Sequence, residues 1–183
     1  WCYNGAVRLV QLRDELDGEL TLTWKAFLLR PYPKQRSIEK FREYTQSWLR
    51  PAAQAGGGRF RPWVSDDLPP SHSVPPQIAV KAAARQGGFD RFHLAVMYAY
   101  FWDNRNVSDP SVLIDIAKAC ELDPIAFSVS LQDESLVQLV FDEHNEAVNA
   151  GITGVPTVVA PGGFQIPGAQ DLSFYRHLVQ KLR

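Results

Sequence analysis

Along L-T-L-T-W-K-A-F-L-L, residues 20–29, hydrophobic and polar positions alternate. Leu20, Leu22, Trp24 and Ala26 point one way and Thr21, Thr23, Lys25 and Phe27 the other. A two-residue period of this kind predicts a strand, closed by Pro31 and Pro33. Ahead of it, residues 2–16 have helical spacing, with Val7, Val10 and Leu16 among the apolar positions, and Asp17-Gly18 as the stop. Ser37 is the expected N-cap of a further helix reaching about residue 49, with Pro51 ending it.

The pattern then lapses. Residues 52–76 hold Gly56-Gly57-Gly58 and five prolines with little periodicity, which predicts a long irregular loop; a loop of that length within a compact protein is often functional. From 77 to 150 the spacing is helical almost throughout. An Ala-rich helix runs to Gln86, Gly87-Gly88 breaks it, and an aromatic helix covers 89–104. Asp109-Pro110 and Asp123-Pro124 each give an N-cap with proline at the first helical position, for helices ending near Glu121 and Leu131. Residues 135–150 place Val137, Val140, Phe141 and Val148 on one stripe, with Gly151 as the C-terminal stop. In the tail, T-V-V-A and F-Q-I flank the turn Pro161-Gly162-Gly163, and an amphipathic helix spans 171–182.

This order predicts an α/β fold with a large helical insertion. It supplies three strands, and a sheet covered on both faces usually has a fourth. The expected place for it is ahead of Trp1, joined through the Cys2 helix by a right-handed crossover.

Composition narrows the function. The 183 residues carry a formal charge of −1, which gives no electrostatic reason to expect nucleic acid or an anionic membrane as partner. The longest apolar and aromatic run, 94–102, is about half of what crosses a bilayer. No leader peptide is visible in the chain as it begins. Cys2 and Cys120 form no Cys-x-x-Cys, and the histidines at 72, 93, 144 and 177 share no ligand spacing with them, so no metal site is expected.

Four segments carry a resemblance. W-C-Y-N-G at the head of a helix resembles the end of the C-P-W-C-Y-x-G segment of the FrnE-type, DsbA-like branch of the thioredoxin superfamily. G-I-T-G-V-P-T-V-V is similar to that branch's G-V-x-G-V-P-T-F-V strand, whose proline is cis. I-P-G-A-Q resembles the lead into its last helix, and A-Y-F-W-D-N-R-N-V-S-D-P-S-V-L its helix pair. The resemblance covers the chain in order, apart from 52–76. It implies a thioredoxin-like fold, with 1–33 and 150–183 as a discontinuous thioredoxin-like domain and 34–149 as a mainly helical insertion.

By that resemblance Cys2 is the resolving thiol, and Trp1, Val155 and Pro156 face the substrate. A thiol at a helix N-terminus meets the positive end of the dipole and free N–H groups, which can lower its pKa. The first cysteine of such a pair attacks a disulfide and the second resolves the mixed disulfide. Pro156 has no N–H, so Val155 can offer its backbone to an extended substrate or to glutathione. The attacking residue would lie two positions before Cys2, outside the chain. A cysteine there implies a disulfide oxidoreductase; a serine implies kinship with kappa-class glutathione transferases and 2-hydroxychromene-2-carboxylate isomerases.

Other residues have plainer expectations. Cys120 is a packing residue, and His144 a satisfied, partly buried one. Tyr98, Tyr100, Phe101 and Trp102 are core or domain-contact aromatics. Trp63 either lines a substrate pocket or anchors its own loop. Arg30, Arg59 and Arg61 are candidates for a carboxylate such as glutathione's, against the ordinary solvated arginine. The leading function is thiol-disulfide exchange. The alternatives are a glutathione-dependent isomerase or transferase and a non-catalytic peptide-binding module. The expected substrate is a disulfide-bearing protein or small thiol, with glutathione as an eligible co-substrate and no tightly bound cofactor. The resemblance further suggests a cytoplasmic protein, compatible with a homodimer.

Overall fold

The computed structural model describes residues 1–182. Helix α1 (Cys2–Glu15) opens the chain, and an extended stretch follows it. Ser37 caps α2 (Ile38–Thr45) by accepting the Lys40 N–H. A 3-10 turn (Gln46–Trp48) then leads into α3 (Leu49–Ala52). Pro51 therefore does not end the helical run. It lies in the first turn of α3, where an N–H would have no partner within the helix.

Helices α4 (Val74–Arg85), α5 (Phe89–Phe101), α6 (Pro110–Ala119), α7 (Pro124–Ser130) and α8 (Glu134–Asn149) form the helical middle. Asp109, Asp123 and Asp133 cap the last three through side-chain oxygens, and Pro110 and Pro124 occupy the first helical positions. The aromatic helix stops before 104 because Asn104 takes a left-handed φ of 56°. Val148 departs from the expected core stripe and is 49% exposed. Strands β1 (Thr157–Ala160) and β2 (Phe164–Pro167) pair antiparallel, Thr157 opposite Pro167 and Ala160 opposite Phe164. Their turn needs left-handed φ at Gly162 and Gly163, which glycine adopts freely. Helix α9 (Leu172–Leu182) closes the described chain.

The strand expected at 20–29 does not form. Its alternation is present: Ala26 and Leu28 are buried, while Thr21, Thr23 and Lys25 are exposed. A strand also needs a ladder partner, and β1–β2 is the one ladder among the described residues. Side chains take that place instead. The Ala26 N–H donates to Glu143 Oε2 at 2.6 Å and the Leu28 N–H to His144 Nδ1 at 3.2 Å. Lys81 Nζ donates to the Trp24 carbonyl at 3.2 Å and to Glu143 Oε1 at 2.7 Å. Helices α4 and α8 thus hold an extended segment by its backbone.

Three apolar clusters result. Leu9, Leu12 and Tyr175 join α1 to α9, with Leu20, Leu22, Trp24 and Val158 against them. A helical core gathers Ala26 and Leu28 with residues of α4 to α8, including Cys120 at 3% exposure. The third is an aromatic cluster of Tyr3, Phe41, Trp48, Phe60 and Trp63. No helix among the described residues is long and apolar enough to cross a membrane.

Candidate active site

Trp1 occupies the N-cap position of α1, and its carbonyl accepts the Gly5 N–H at 3.0 Å. The Trp1 side chain is 45% exposed. Cys2 begins the helix and is a free, partly buried thiol. Burial pushes its thiol up from the ordinary value, and a backbone hydrogen bond pulls it down by less. The helix terminus alone would favour thiolate; here desolvation of the charged form is the larger effect.

Across from this helix, the Val155–Pro156 peptide bond is cis. The Pro156 carbonyl accepts the Gly168 N–H at 2.8 Å, and the Thr157 hydroxyl donates to the Gly154 carbonyl at 2.7 Å. Neither backbone group of Val155 has a hydrogen-bond partner among the described residues. Gly5 brings the two sides together. A Cβ placed on it would stand 3.5 Å from the Cβ and Cγ of Pro156 and 4.0 Å from the Ala169 Cβ. Cys2 lies three residues earlier, about 4.5 Å along the axis at 1.5 Å per residue. The thiol end of α1 and the Val155-Pro156 edge therefore share one neighbourhood.

The irregular segment after Ala52 turns out to lie on the same helix. Asn4, fully buried, donates to the Pro51 carbonyl at 2.9 Å and accepts the Gly58 N–H at 2.9 Å. Arg8, 1% exposed, donates to the carbonyls of Ala55 at 2.8 Å, Gly56 at 3.3 Å, Ala169 at 3.3 Å and Gln170 at 3.0 Å. Gly57 and Gly58 allow the approach, since a Cβ on either would run into Asn4 or Tyr3. One guanidinium thus joins the loop, α1 and the A-Q turn before α9.

Sequence reasoning missed Asn4 and Arg8. Their i, i+4 spacing put both on one face of α1, but polar residues on a helix ordinarily face water. The glycine triplet was the other signal, and it reads equally as flexibility. Trp63 anchors its own loop: it is 1% exposed, its ring lies 5.2 Å from Phe41, and its backbone N–H donates to Thr45 Oγ1 at 2.9 Å. His144 serves the backbone of Leu28, whose N–H it accepts at Nδ1.

Tyr3 also opens onto a groove of about 440 Å³ between α5 and α6. Leu94, Ala99 and Ile116 line it with Tyr98, Asp103 and Arg105. The Tyr3 ring is held by Phe60 at 5.6 Å and Phe101 at 6.0 Å.

Comparison with known proteins fits this arrangement. The model of the DSBA-like thioredoxin domain matches residues 1–180. Cytosolic disulfide reductase DsbM from Pseudomonas aeruginosa superposes with a TM-score of 0.75 at 23% identity, over 100% of this chain and 93% of that one. The probable DsbA oxidoreductase SCO1869 from Streptomyces coelicolor gives 0.79 at 21% identity, over 99% and 84%. Among curated proteins, the ClpXP adapter protein SpxH of Bacillus subtilis is 26% identical over 145 residues, 73% of this chain and 48% of SpxH. The chain thus spans about half the length of that relative. With its two-stranded sheet, helical middle and thiol-bearing first helix, the chain belongs to the DSBA-like thioredoxin-domain family.

Proposed function

We infer that the protein exchanges thiols and disulfides through Cys2, as a FrnE-type member of its family. The observation that carries this is the contact between Gly5 and Pro156, which sets a helix-terminal thiol beside an unpaired backbone edge. In the proposed reaction a nucleophilic thiolate two positions before Cys2 attacks a substrate disulfide, forming a mixed disulfide and releasing one substrate thiolate. The Cys2 thiol gives its proton to the released substrate thiolate, and its sulfur then attacks the enzyme sulfur of that mixed disulfide. An internal disulfide forms and the second substrate thiolate leaves, so the substrate gains two electrons and the enzyme loses two. The same steps in reverse oxidise a dithiol substrate.

A thiol whose pKa burial raises suits the resolving position, because it competes less for the first attack. Val155 would pair with an extended stretch of substrate through its free N–H and C=O, and the groove beside Tyr3 would take a flanking side chain. The substrate is a disulfide-bearing protein or small thiol.

Two other readings have their own support. A structure of DsbM with GSH is among the neighbours, at 21% identity and a TM-score of 0.78. It favours glutathione as co-substrate, and a serine two positions before Cys2 would favour a kappa-type transferase or isomerase. The adapter role in the name of SpxH favours a peptide-binding module without turnover.

Peptide mapping after incubation of the reduced natural protein with a disulfide-bearing peptide tests the leading reading. A disulfide between Cys2 and the residue two positions earlier supports it. A Cys2 that stays reduced while thiol chemistry proceeds removes it. Saturable glutathione binding that survives Cys2→Ala would move the assignment to the transferase reading.

A further inference from the structure

We propose that Arg8 is a positioning residue for the exchange reaction: it sets the distance of the Val155-Pro156 edge from the Cys2 helix. This rests on the thiol-exchange reading and names what holds the substrate strand of that site in place.

Arg8 lies three residues after Gly5, on the same face of α1. Gly5 approaches the Pro156 ring and, more loosely, Ala169. Arg8 Nη1 holds the next part of the same turn, donating to the Ala169 carbonyl at 3.3 Å and the Gln170 carbonyl at 3.0 Å. Neither carbonyl has another hydrogen-bond partner among the described residues. The residue before them, Gly168, donates its N–H to the Pro156 carbonyl at 2.8 Å. A short relay therefore runs from the guanidinium through the turn to the cis-proline, beside the unpaired backbone groups of Val155.

The rest of the guanidinium is committed to the Ala55 carbonyl at 2.8 Å and the Gly56 carbonyl at 3.3 Å. A side chain 1% exposed and bonded on both sides is not free to swing away. Its nearest counter-charge, Asp171 at 3.7 Å, is 74% exposed and adds little. A guanidinium presents its donors in a flat, fixed fork, so four carbonyls bonded at once fix how far the turn stands from α1. A lysine brings one nitrogen and cannot span both sides. On its other side the turn is held by Tyr175, whose hydroxyl accepts the Gln170 N–H at 3.3 Å. A substrate that pairs with Val155 feels this spacing, whereas a disulfide without a peptide backbone does not.

Steady-state kinetics of the natural full-length protein on two substrates test this. One is a linear peptide whose central cysteine carries mercaptoethanol in a mixed disulfide. The other is hydroxyethyl disulfide, which has no backbone to pair. Arg8→Lys should lower the ratio of kcat/KM for the peptide to that for the small disulfide roughly fivefold or more, chiefly through the peptide's KM. Tyr175→Phe keeps the ring and loosens the turn from its other side, so it should move the ratio the same way by less. Hydrogen exchange followed by NMR should show the Gly168 N–H exchanging faster in Arg8→Lys. A role in stability alone would lower both substrates together, and an unchanged ratio in the two variants overturns the proposal. So does Gly168 exchange at the wild-type rate in a folded Arg8→Lys variant. If Arg8→Lys does not fold, the ratio in Tyr175→Phe decides alone. These results leave thiol exchange standing; a wild type that turns over neither substrate overturns that reading, and the role of Arg8 with it.

Discussion

Gly5 in the first helix rests against Pro156, so closely that a methyl group on it would stand 3.5 Å from two carbons of the ring. That is ordinary van der Waals distance, so alanine fits and anything larger does not. Gly5→Ala should keep thiol activity and gain up to about 1 kcal/mol, since glycine inside a helix costs that much relative to alanine. Gly5→Leu should push α1 off Pro156, cost roughly 1–3 kcal/mol, and lower exchange activity more than Gly5→Ala does. Urea unfolding alongside thiol-exchange rates checks both.

Arg8 supplies the donors for four backbone carbonyls while 1% exposed. Replacing it leaves those acceptors without partners. Arg8→Leu should cost about 3 kcal/mol or more and free the loop beside Gly56. Limited proteolysis should then cut between residues 53 and 58 well before the rest of the chain. Cleavage no faster than in the wild type would contradict the clasp.

The Lys81–Glu143 pair has side chains 12% and 9% exposed and holds the backbone at Trp24 and Ala26. Breaking a buried pair from one side strands the other charge. Lys81→Met or Glu143→Leu alone should each cost roughly 3–5 kcal/mol. The double variant should cost less than the sum, without full recovery, because the Ala26 N–H still lacks its acceptor. A double-mutant cycle by denaturant unfolding reads the coupling.

His93 gives a pH signature. Burial lowers its pKa from the ordinary 6.5 to about 4, with Lys81 pulling the same way and Asp90 opposing. Trp24, at 4.8 Å, and Phe89, at 5.2 Å, enclose the ring, and Nδ1 has no partner. Between those two pKa values the unfolded chain binds a proton that the folded chain does not. Stability is therefore fully present above about 6.5 and falls as pH drops toward about 4. The loss is at most about 3 kcal/mol, from 1.36 kcal/mol per unit. His93→Gln should lack that portion, so the stability difference between wild type and variant should shrink across the window.

Much of this was legible in the chain. Asp109-Pro110 and Asp123-Pro124 gave helix starts because the cap is local chemistry, settled within three residues. V-P-T-V-V and P-G-G gave the hairpin for the same reason. The segment at 20–29 showed its buried face correctly, because alternation encodes burial. It could not show its partner, because whether a ladder forms depends on residues more than a hundred positions away. Glu143 and His144, which meet its N–H groups, read only as part of a helix stripe. The loop after Ala52 was opaque because its order comes from Asn4 and Arg8, and long-range side chain to backbone bonds leave no period in the sequence. At the candidate site, the helix start at Cys2 and the cis bond before Pro156 were visible through their motifs, whereas the weight of burial at the Cys2 thiol needed the packing around it.

The proposed function requires Cys2 to take part in thiol-disulfide exchange. Reduction of insulin driven by dithiothreitol, followed by turbidity for the natural full-length protein and its Cys2→Ser variant, tests it most directly. Catalysis by the wild type and a rate near the uncatalysed background for the variant are expected, with Cys120→Ser unaffected. Equal rates for wild type and Cys2→Ser would contradict it.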